Sequence, residues 1–373
     1  MFHIQSRDAD TLARTASLDT PHGTIHTPVF MPVGTAATVK AVMVDHLHAI
    51  GTEIILSNTY HLYLQPGPDI VLQAGGLHAF MNWNNPILTD SGGFQAYSLS
   101  RIKKIKEDGI EFQSYKDGSK HFFSPEKVIE IQEALGSDIM MPLDICTPFG
   151  TKGKELEDLT RKTIAWAEKS KKHKKASSPQ LLFGIVQGGN DPSLRLECLK
   201  ALQDIGFPGY AIGSLSVGEP DEVYYHILES ISPYMQESPI YVMGVGDPEK
   251  MIRSIAMGVD MFDCVLPTRI ARNRSLFTSD GRITITNARY ERDFSPIDAA
   301  CPCPTCAHYT KAYLRHLYKS GEILASVLGS IHNLSFLLEL MKKARLAIEE
   351  KKYHTFADEF LSRYLQGGSN DSS

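Results

Sequence analysis

The chain has 373 residues, with 38 Lys and Arg against 43 Asp and Glu, a formal charge of −5 and 42% apolar residues. That balance excludes a protein held to nucleic acid by bulk charge, while leaving room for a local basic patch. The opening MFHIQSRDAD has no apolar signal core and no uncharged apolar run approaches membrane-spanning length, so a soluble, cytoplasmic protein with no membrane partner is expected.

Residues 2–28 read as an antiparallel lead-in with a turn at 19–23. Short β-rich runs follow at 29–33, 53–56, 87–88, 139–143, 181–186, 210–212, 240–243 and 261–262, each ending in polar or glycine-rich residues. Helical patterns fill most intervals. Ser124-Pro125-Glu126 supplies a cap, a proline at the first helical position and an acidic first turn. Residues 156–166 and 193–202 carry apolar positions at helical spacing. Strands alternating with helices imply parallel βα units. Eight of them point to an α/β fold of the closed (β/α)8 TIM-barrel type, although a doubly wound sheet alternates in the same way. The chain is read as one catalytic barrel domain over 1–373 with a zinc-binding subdomain inserted at 290–335, near the C-terminus. A last helix over 332–353 and a disordered tail at 367–373 complete the expectation.

Cys301-Pro302-Cys303-Pro304-Thr305-Cys306 concentrates three thiols, and His332 follows at the expected start of the last helix. Three thiolates and one imidazole fill a tetrahedral zinc site with no open position, the arrangement of a structural metal. In a reducing compartment such clustering reads as metal ligation before disulfides. Cys146, Cys198 and Cys264 lie in apolar runs and read as core residues.

In a barrel, strand C-termini share the face where active sites lie. Asp90, Asp144, Asp247 and Asp263 fall there, with Gln187 and Asn58. Any one could simply cap a helix. Two converging carboxylates suit displacement at an anomeric carbon, one as nucleophile and one as acid/base. A carboxylate also accepts the paired N1–H and N2–H₂ donors of a guanine-like edge. The glycine pairs 92–93 and 188–189 suit either a phosphate or the close approach of a flat ligand.

The chain has no GxxxxGK[ST], GxGxxG opening a helix, HExxH or GxSxG, which removes the main supports for NTPase, dinucleotide oxidoreductase, zincin and serine hydrolase readings. Basic clusters occur at 101–106, including Lys103 and Lys104, at 169–175, and at Arg269, Arg272 and Arg274. The 169–175 run reads as a solvated helix face. The other two follow the Asp90 and Asp263 strand ends, where a polyanion could lay its phosphates.

The segments 58–62 (NTYHL), 90–95 (DSGGFQ), 184–189 (GIVQGG) and 263–269 (DCVLPTR), with the Cys301, Cys303, Cys306, His332 set, resemble bacterial-type tRNA-guanine transglycosylases (queuine tRNA-ribosyltransferases). The agreement runs in order over about residues 3–365. It implies a (β/α)8 barrel with one structural Zn2+ per chain, a homodimer, and no nucleotide or redox cofactor. The family exchanges guanine at the wobble position of tRNAs with a GUN anticodon, and in bacteria the incoming base is 7-aminomethyl-7-deazaguanine (preQ1), a queuosine precursor. Carried over by motif, Asp263 is the nucleophile and Asp90 the general acid/base. Asp144, Gln187 and the Ser214 N–H read the base, and Phe94 and Met243 sandwich it. The Leu215 carbonyl, supported by Glu219, meets the aminomethyl group, while Val33, Leu56 and Asn58 line the ribose pocket. The family usually has Gly-Gly-Leu where this chain has Gly213-Ser214-Leu215, whereas Val217 and Cys146 keep the bacterial-type residues. Queuine salvage, a non-catalytic tRNA-binding subunit and a retaining glycoside hydrolase are the competing readings.

Overall fold

The computed structural model describes residues 1–99 and 103–368. An antiparallel meander opens the fold: β1 (Phe2–Arg7), β2 (Arg14–Thr20) and β3 (Gly23–Thr27). Parallel strands β4 (Val29–Gly34), β5 (Ile55–Ser57) and β6 (Ile87–Thr89) follow. A second antiparallel sheet then intervenes, made of β7 (Lys103–Ile105), β8 (Ile110–Gln113) and β9 (Lys120–Phe123). The parallel series resumes with β10 (Ile139–Met140), β11 (Leu181–Leu182), β12 (Gly184–Val186), β13 (Tyr210–Ile212), β14 (Ile240–Val242) and β15 (Met261–Cys264).

The parallel sheet runs β11-β10-β6-β5-β4-β15-β14-β13-β12. Its two ends are halves of one strand, parted only by Phe183. The Phe183 N–H donates to Met140 O (3.1 Å) on one side and the Gly184 N–H to Gly209 O (2.9 Å) on the other. The sheet therefore closes on itself as an eight-stranded (β/α)8 barrel. Alternating residues fill it: Met31, Leu56, Leu88, Ile139, Ile185, Ala211, Tyr241 and Met261 point inward. Their neighbours, such as Phe30, Ile87, Val186, Val242 and Phe262, pack outward under the helices. Leu18 and Ile25 of the meander join the inner cluster.

After β15 come the hairpin β16 (Ser275–Thr278) and β17 (Gly281–Thr284) and the helices Pro304–His308, Lys311–Ser320, Ile323–Glu349 and Tyr353–Gly368. Helix 323–349 is long and apolar enough to cross a membrane, yet 72% of its most apolar window is buried inside the protein, as for a core helix.

Two expectations need correction here. The helix carrying His332 starts nearer Gly321, which ends the preceding helix in the left-handed region (φ 73°), so His332 sits well inside it. A second break at Lys351 (φ 59°) separates it from the terminal helix. Gly367 and Gly368 form the end of that helix rather than starting a tail, and residues 369–373 lie outside the described residues. The β7–β9 sheet escaped the sequence reading altogether because its lysines mask an alternating pattern, in which Ile110, Phe112 and Phe123 are the buried positions.

Candidate active site

The same alternation that fills the barrel delivers the functional groups to its mouth. Two residues beyond the inward-facing Leu56, Leu88, Ile185, Tyr241 and Met261 stand Asn58, Asp90, Gln187, Met243 and Asp263. Asp263 Oδ1 accepts from the Tyr241 hydroxyl (2.6 Å) and the Gly244 N–H (2.8 Å). Asp90 Oδ1 accepts from the Thr59 N–H (2.9 Å), and its other oxygen from the Asn58 amide. Asn58 is itself fixed, because its Oδ1 caps helix Thr59–Leu64 through the His61 N–H (2.9 Å).

Burial pushes the Asp90 carboxyl up to about 7; the nearby charge of Asp263 adds to this, and the Thr59 and Asn58 donors oppose it. Burial also raises Asp263, against the pull of Tyr241 and Gly244. Two carboxyls thus share one pocket, and one of them is poised to carry a proton near neutrality.

Asp144 lies beside them. Its Oδ1 accepts from Ser91 Oγ (2.9 Å) and its Oδ2 from the Gln187 amide (2.8 Å), and burial raises its pKa. Gln187 Oε1 is buried with no partner among the described residues. Gly213 makes this approach possible, since a Cβ there would lie 2.3 Å from Gln187 Nε2. Phe94, 49% exposed on helix Gly93–Ser98, and the half-buried Met243 offer apolar faces at the same mouth. Glu219 accepts from the Ser216 N–H (2.5 Å) and the Val217 N–H (2.9 Å). The trans Leu215–Ser216 peptide consequently turns the Leu215 carbonyl the opposite way.

The cysteine cluster assembles as its spacing suggests. His332 Nδ1 lies 3.7, 3.5 and 3.3 Å from the sulfurs of Cys301, Cys303 and Cys306. A tetrahedron with Zn–S of about 2.3 Å and Zn–N of about 2.0–2.1 Å has an S···N edge of about 3.5 Å, so the donor set fits zinc. His332 Nε2 meets the Phe277 carbonyl at 2.7 Å, which fixes the tautomer that leaves Nδ1 free to ligate. The adjacent Asn333 accepts from the Phe277 N–H (3.0 Å) and donates to the carbonyls of Pro267 (3.0 Å) and Ser275 (3.2 Å).

Asp247 does not join the carboxylates. Its Oδ1 caps helix Pro248–Ala256 by accepting from the N–H groups of Glu249 (3.0 Å) and Lys250 (3.2 Å). The 169–175 lysines are a surface feature as expected, with Lys169, Lys172 and Lys175 paired to Asp108, Glu168 and Glu133. Cys198 is buried core, whereas Cys146 and Cys264 are only half-buried near the pocket.

A family model described as queuine tRNA-ribosyltransferase matches residues 8–366. The chain belongs to the queuine tRNA-ribosyltransferase family. It is 55% identical over 364 residues to a queuine tRNA-ribosyltransferase of Caldanaerobacter subterraneus, covering 97% of both chains. A protein of the same name from Halothermothrix orenii is 54% identical over 99% of both chains. One from Bacillus licheniformis is 53% identical over 95% of this chain and 93% of its own.

Within this queuine tRNA-ribosyltransferase fold, Ser214 occupies the left-handed region (φ 51°), which explains why glycine suits that position. Its hydroxyl turns toward the Asp144 loop, accepting from the Thr147 N–H (2.8 Å) and lying 3.5 Å from Cys146 Sγ. Its N–H has no partner among the described residues. Arg269 is exposed on helix Leu266–Arg272, and Arg272 has a buried Nη1 without a partner among the described residues. Burial and the charge of Arg269 both lower the Arg272 pKa. Lys104 is exposed on β7, and the Lys103 side chain lies outside the described residues.

Sequence reasoning overlooked Tyr241, Ser91 and Thr59. Tyr241 left a signal: a buried tyrosine facing a barrel interior usually turns its hydroxyl to a polar partner, and the strand-end carboxylates at the mouth offer one.

Proposed function

We propose that this chain replaces guanine at wobble position 34 of GUN-anticodon tRNAs with preQ1, a step in queuosine biosynthesis, through a covalent ribosyl-enzyme. The observation that carries it is the pair Asp90 and Asp263 in one pocket, differently supplied with donors, beside the Asp144–Gln187 couple.

In this reading an Asp263 oxygen attacks C1′ of the wobble ribose. The C1′–N9 bond breaks, its electron pair goes to the base, and the Asp90 carboxyl delivers the proton that lets guanine leave. The RNA stays intact as an ester of Asp263. The incoming base gives its N9 proton to the Asp90 carboxylate, its N9 attacks C1′, and the Asp263 carboxylate leaves. Two displacements retain the configuration, and one glycosidic bond replaces another, so the exchange needs no energy input.

Asp144 takes the N1–H and N2–H₂ edge, and Gln187 and the Ser214 N–H take the remaining polar atoms. Phe94 and Met243 cover the two ring faces, and Val33, Leu56 and Asn58 line the ribose site. The Leu215 carbonyl accepts from the aminomethyl group of preQ1. Turning a loop nucleotide out of the anticodon stack costs about a few kcal/mol. Arg269, Arg272, Lys103 and Lys104 meet phosphates. The zinc, bound by Cys301, Cys303, Cys306 and His332, acts structurally. We read residues 1–373 as one catalytic unit with its zinc-binding insertion at 290–335, working as a cytoplasmic homodimer.

The test is release of labelled guanine from an anticodon stem-loop, with preQ1 and queuine offered separately. Release to preQ1 is expected. Release to queuine alone makes this a salvage enzyme, and binding without any release makes it a non-catalytic subunit.

A further inference from the structure

Arg195 is fully buried on helix Pro192–Ile205, behind the pocket wall, and has no carboxylate among its hydrogen-bond partners in the described residues. Every hydrogen bond its guanidinium makes among the described residues goes to a backbone carbonyl. Nε donates to Gly189 O (2.7 Å), Nη1 to Val186 O (3.2 Å), and Nη2 to Gly213 O (2.9 Å) and Ser214 O (3.5 Å). These carbonyls belong to two adjacent loops. One, after β12, carries Gln187; the other, after β13, carries Ser214. Gly188 lets the arginine stem pass, since a Cβ there would lie 2.7 Å from Arg195 Cγ.

Burying a cation with no carboxylate in direct contact is costly, and burial lowers this guanidinium to about 10 from its ordinary 12.5, with the more distant charge of Glu219 among the influences that oppose it. An apolar side chain of similar volume commonly serves stability as well or better. What the guanidinium supplies is direction. Its planar fork holds the Gly213 carbonyl away from the mouth, and in a trans peptide this turns the Ser214 N–H toward the mouth. The next peptide but one is turned the other way by Glu219, which takes the Ser216 N–H. Left alone, a loop with Ser214 at φ 51° and Ser216 at φ 59° has other peptide orientations open to it.

We infer that Arg195 is a positioning residue for base recognition: by gripping the carbonyls of Gly213 and Val186 it aims the Ser214 N–H, beside Gln187, at the C6 oxygen of guanine-type bases. The inference rests on the base-exchange reading above. It goes further in assigning C6 recognition to a residue that touches no substrate.

The experiment compares guanine with 6-thioguanine, which keeps the N1–H and the 2-amino group but presents a weaker acceptor at C6. Wild type and Arg195→Met are assayed for guanine incorporation into a GUN stem-loop, with 6-thioguanine as competitor. Thermal unfolding and RNA binding are followed in parallel. Wild type is expected to favour guanine by about tenfold, one well-aimed hydrogen bond. In Arg195→Met the guanine KM rises about tenfold, kcat changes less, and the preference for guanine over 6-thioguanine shrinks to about twofold. Arg195→Lys, which keeps a charge but not the fork, falls between them and serves if Arg195→Met does not fold. Equal weakening of both bases would make Arg195 a support of the loops without a recognition role and overturn the inference, as would failure of both variants to fold. Absence of exchange in wild type would instead defeat the base-exchange reading itself.

Discussion

Tyr241 on β14 and Asp263 on β15 are joined across a parallel strand pair by a 2.6 Å hydrogen bond from phenol to carboxylate. The phenol's own pKa is raised well above its usual value, chiefly by burial, so it remains a donor at any working pH. A donor to the charged form lowers a carboxyl pKa that burial raises. Removing it in Tyr241→Phe should raise the Asp263 pKa, shrink the ionised fraction at neutral pH and move the acidic limb of exchange to higher pH. Loss of about tenfold in kcat at pH 7 is expected, with recovery as the pH rises. A pH–rate profile checks it, and a limb that does not move would sink the proposed link.

Asp263→Ala should abolish the covalent RNA–enzyme species while RNA binding persists. It also removes one of the influences that raise Asp90. Denaturing gels with the stem-loop report the adduct directly. An adduct that survives in this variant would place the nucleophile elsewhere.

Asp90 makes a stability prediction with a definite sign. Its folded pKa, about 7, lies above the reference value of 3.8, so the native state holds an extra proton between them. That contribution is fully present below the lower value and is lost as pH rises through the upper one. Asp90→Asn should therefore be inactive yet more stable than wild type by about 1–2 kcal/mol near pH 8, with the gap closing toward pH 4. Denaturant unfolding at the two pH values decides it.

Cys303→Ala should lower bound zinc and stability together, with a fall in Tm of about 5 °C or more. Elemental analysis beside thermal unfolding checks this. Metal content equal to wild type would remove Cys303 from the ligand set.

Ser214 separates a strained backbone from a useful hydroxyl. Ser214→Ala and Ser214→Gly both leave the buried Thr147 N–H without its acceptor, but only alanine keeps the unfavourable φ, which glycine relaxes. The alanine variant should be the less stable of the two by about 1–2 kcal/mol. Because the hydroxyl faces Thr147, preQ1 exchange should survive in Ser214→Gly at close to the wild-type rate. A changed base preference in the kinetics would show that the hydroxyl reaches the ligand.

Much of this was legible in the sequence because barrels convert period-two alternation into position. Once Met261 faces inward, so does Asp263, and the same holds for Leu88 with Asp90 and Ile185 with Gln187. The cysteines were legible because zinc demands few ligands at short spacing. Asp247 misled because a carboxylate after a strand can either cap the next helix or face the barrel mouth, and only the backbone direction decides. Arg195 was silent for a different reason. An arginine in SLRLECL reads as a solvent-facing helix position, and nothing local marks it as the one turned inward. The β7–β9 sheet was hidden by composition, since its charged face outnumbers its buried one.

The placement of Asn333 carries one more consequence. It follows His332 of the cysteine–histidine cluster directly and is bonded to Pro267, in the first turn of the arginine-bearing helix after Asp263. In the function proposed above, a metal held by that cluster would moor the rim that carries Arg269 and Arg272, at a distance from the Asp90–Asp263 pocket. A chain stripped of its ion would keep the closed barrel and both carboxylates but let that rim drift, and its first symptom would be a weakened hold on the anticodon loop.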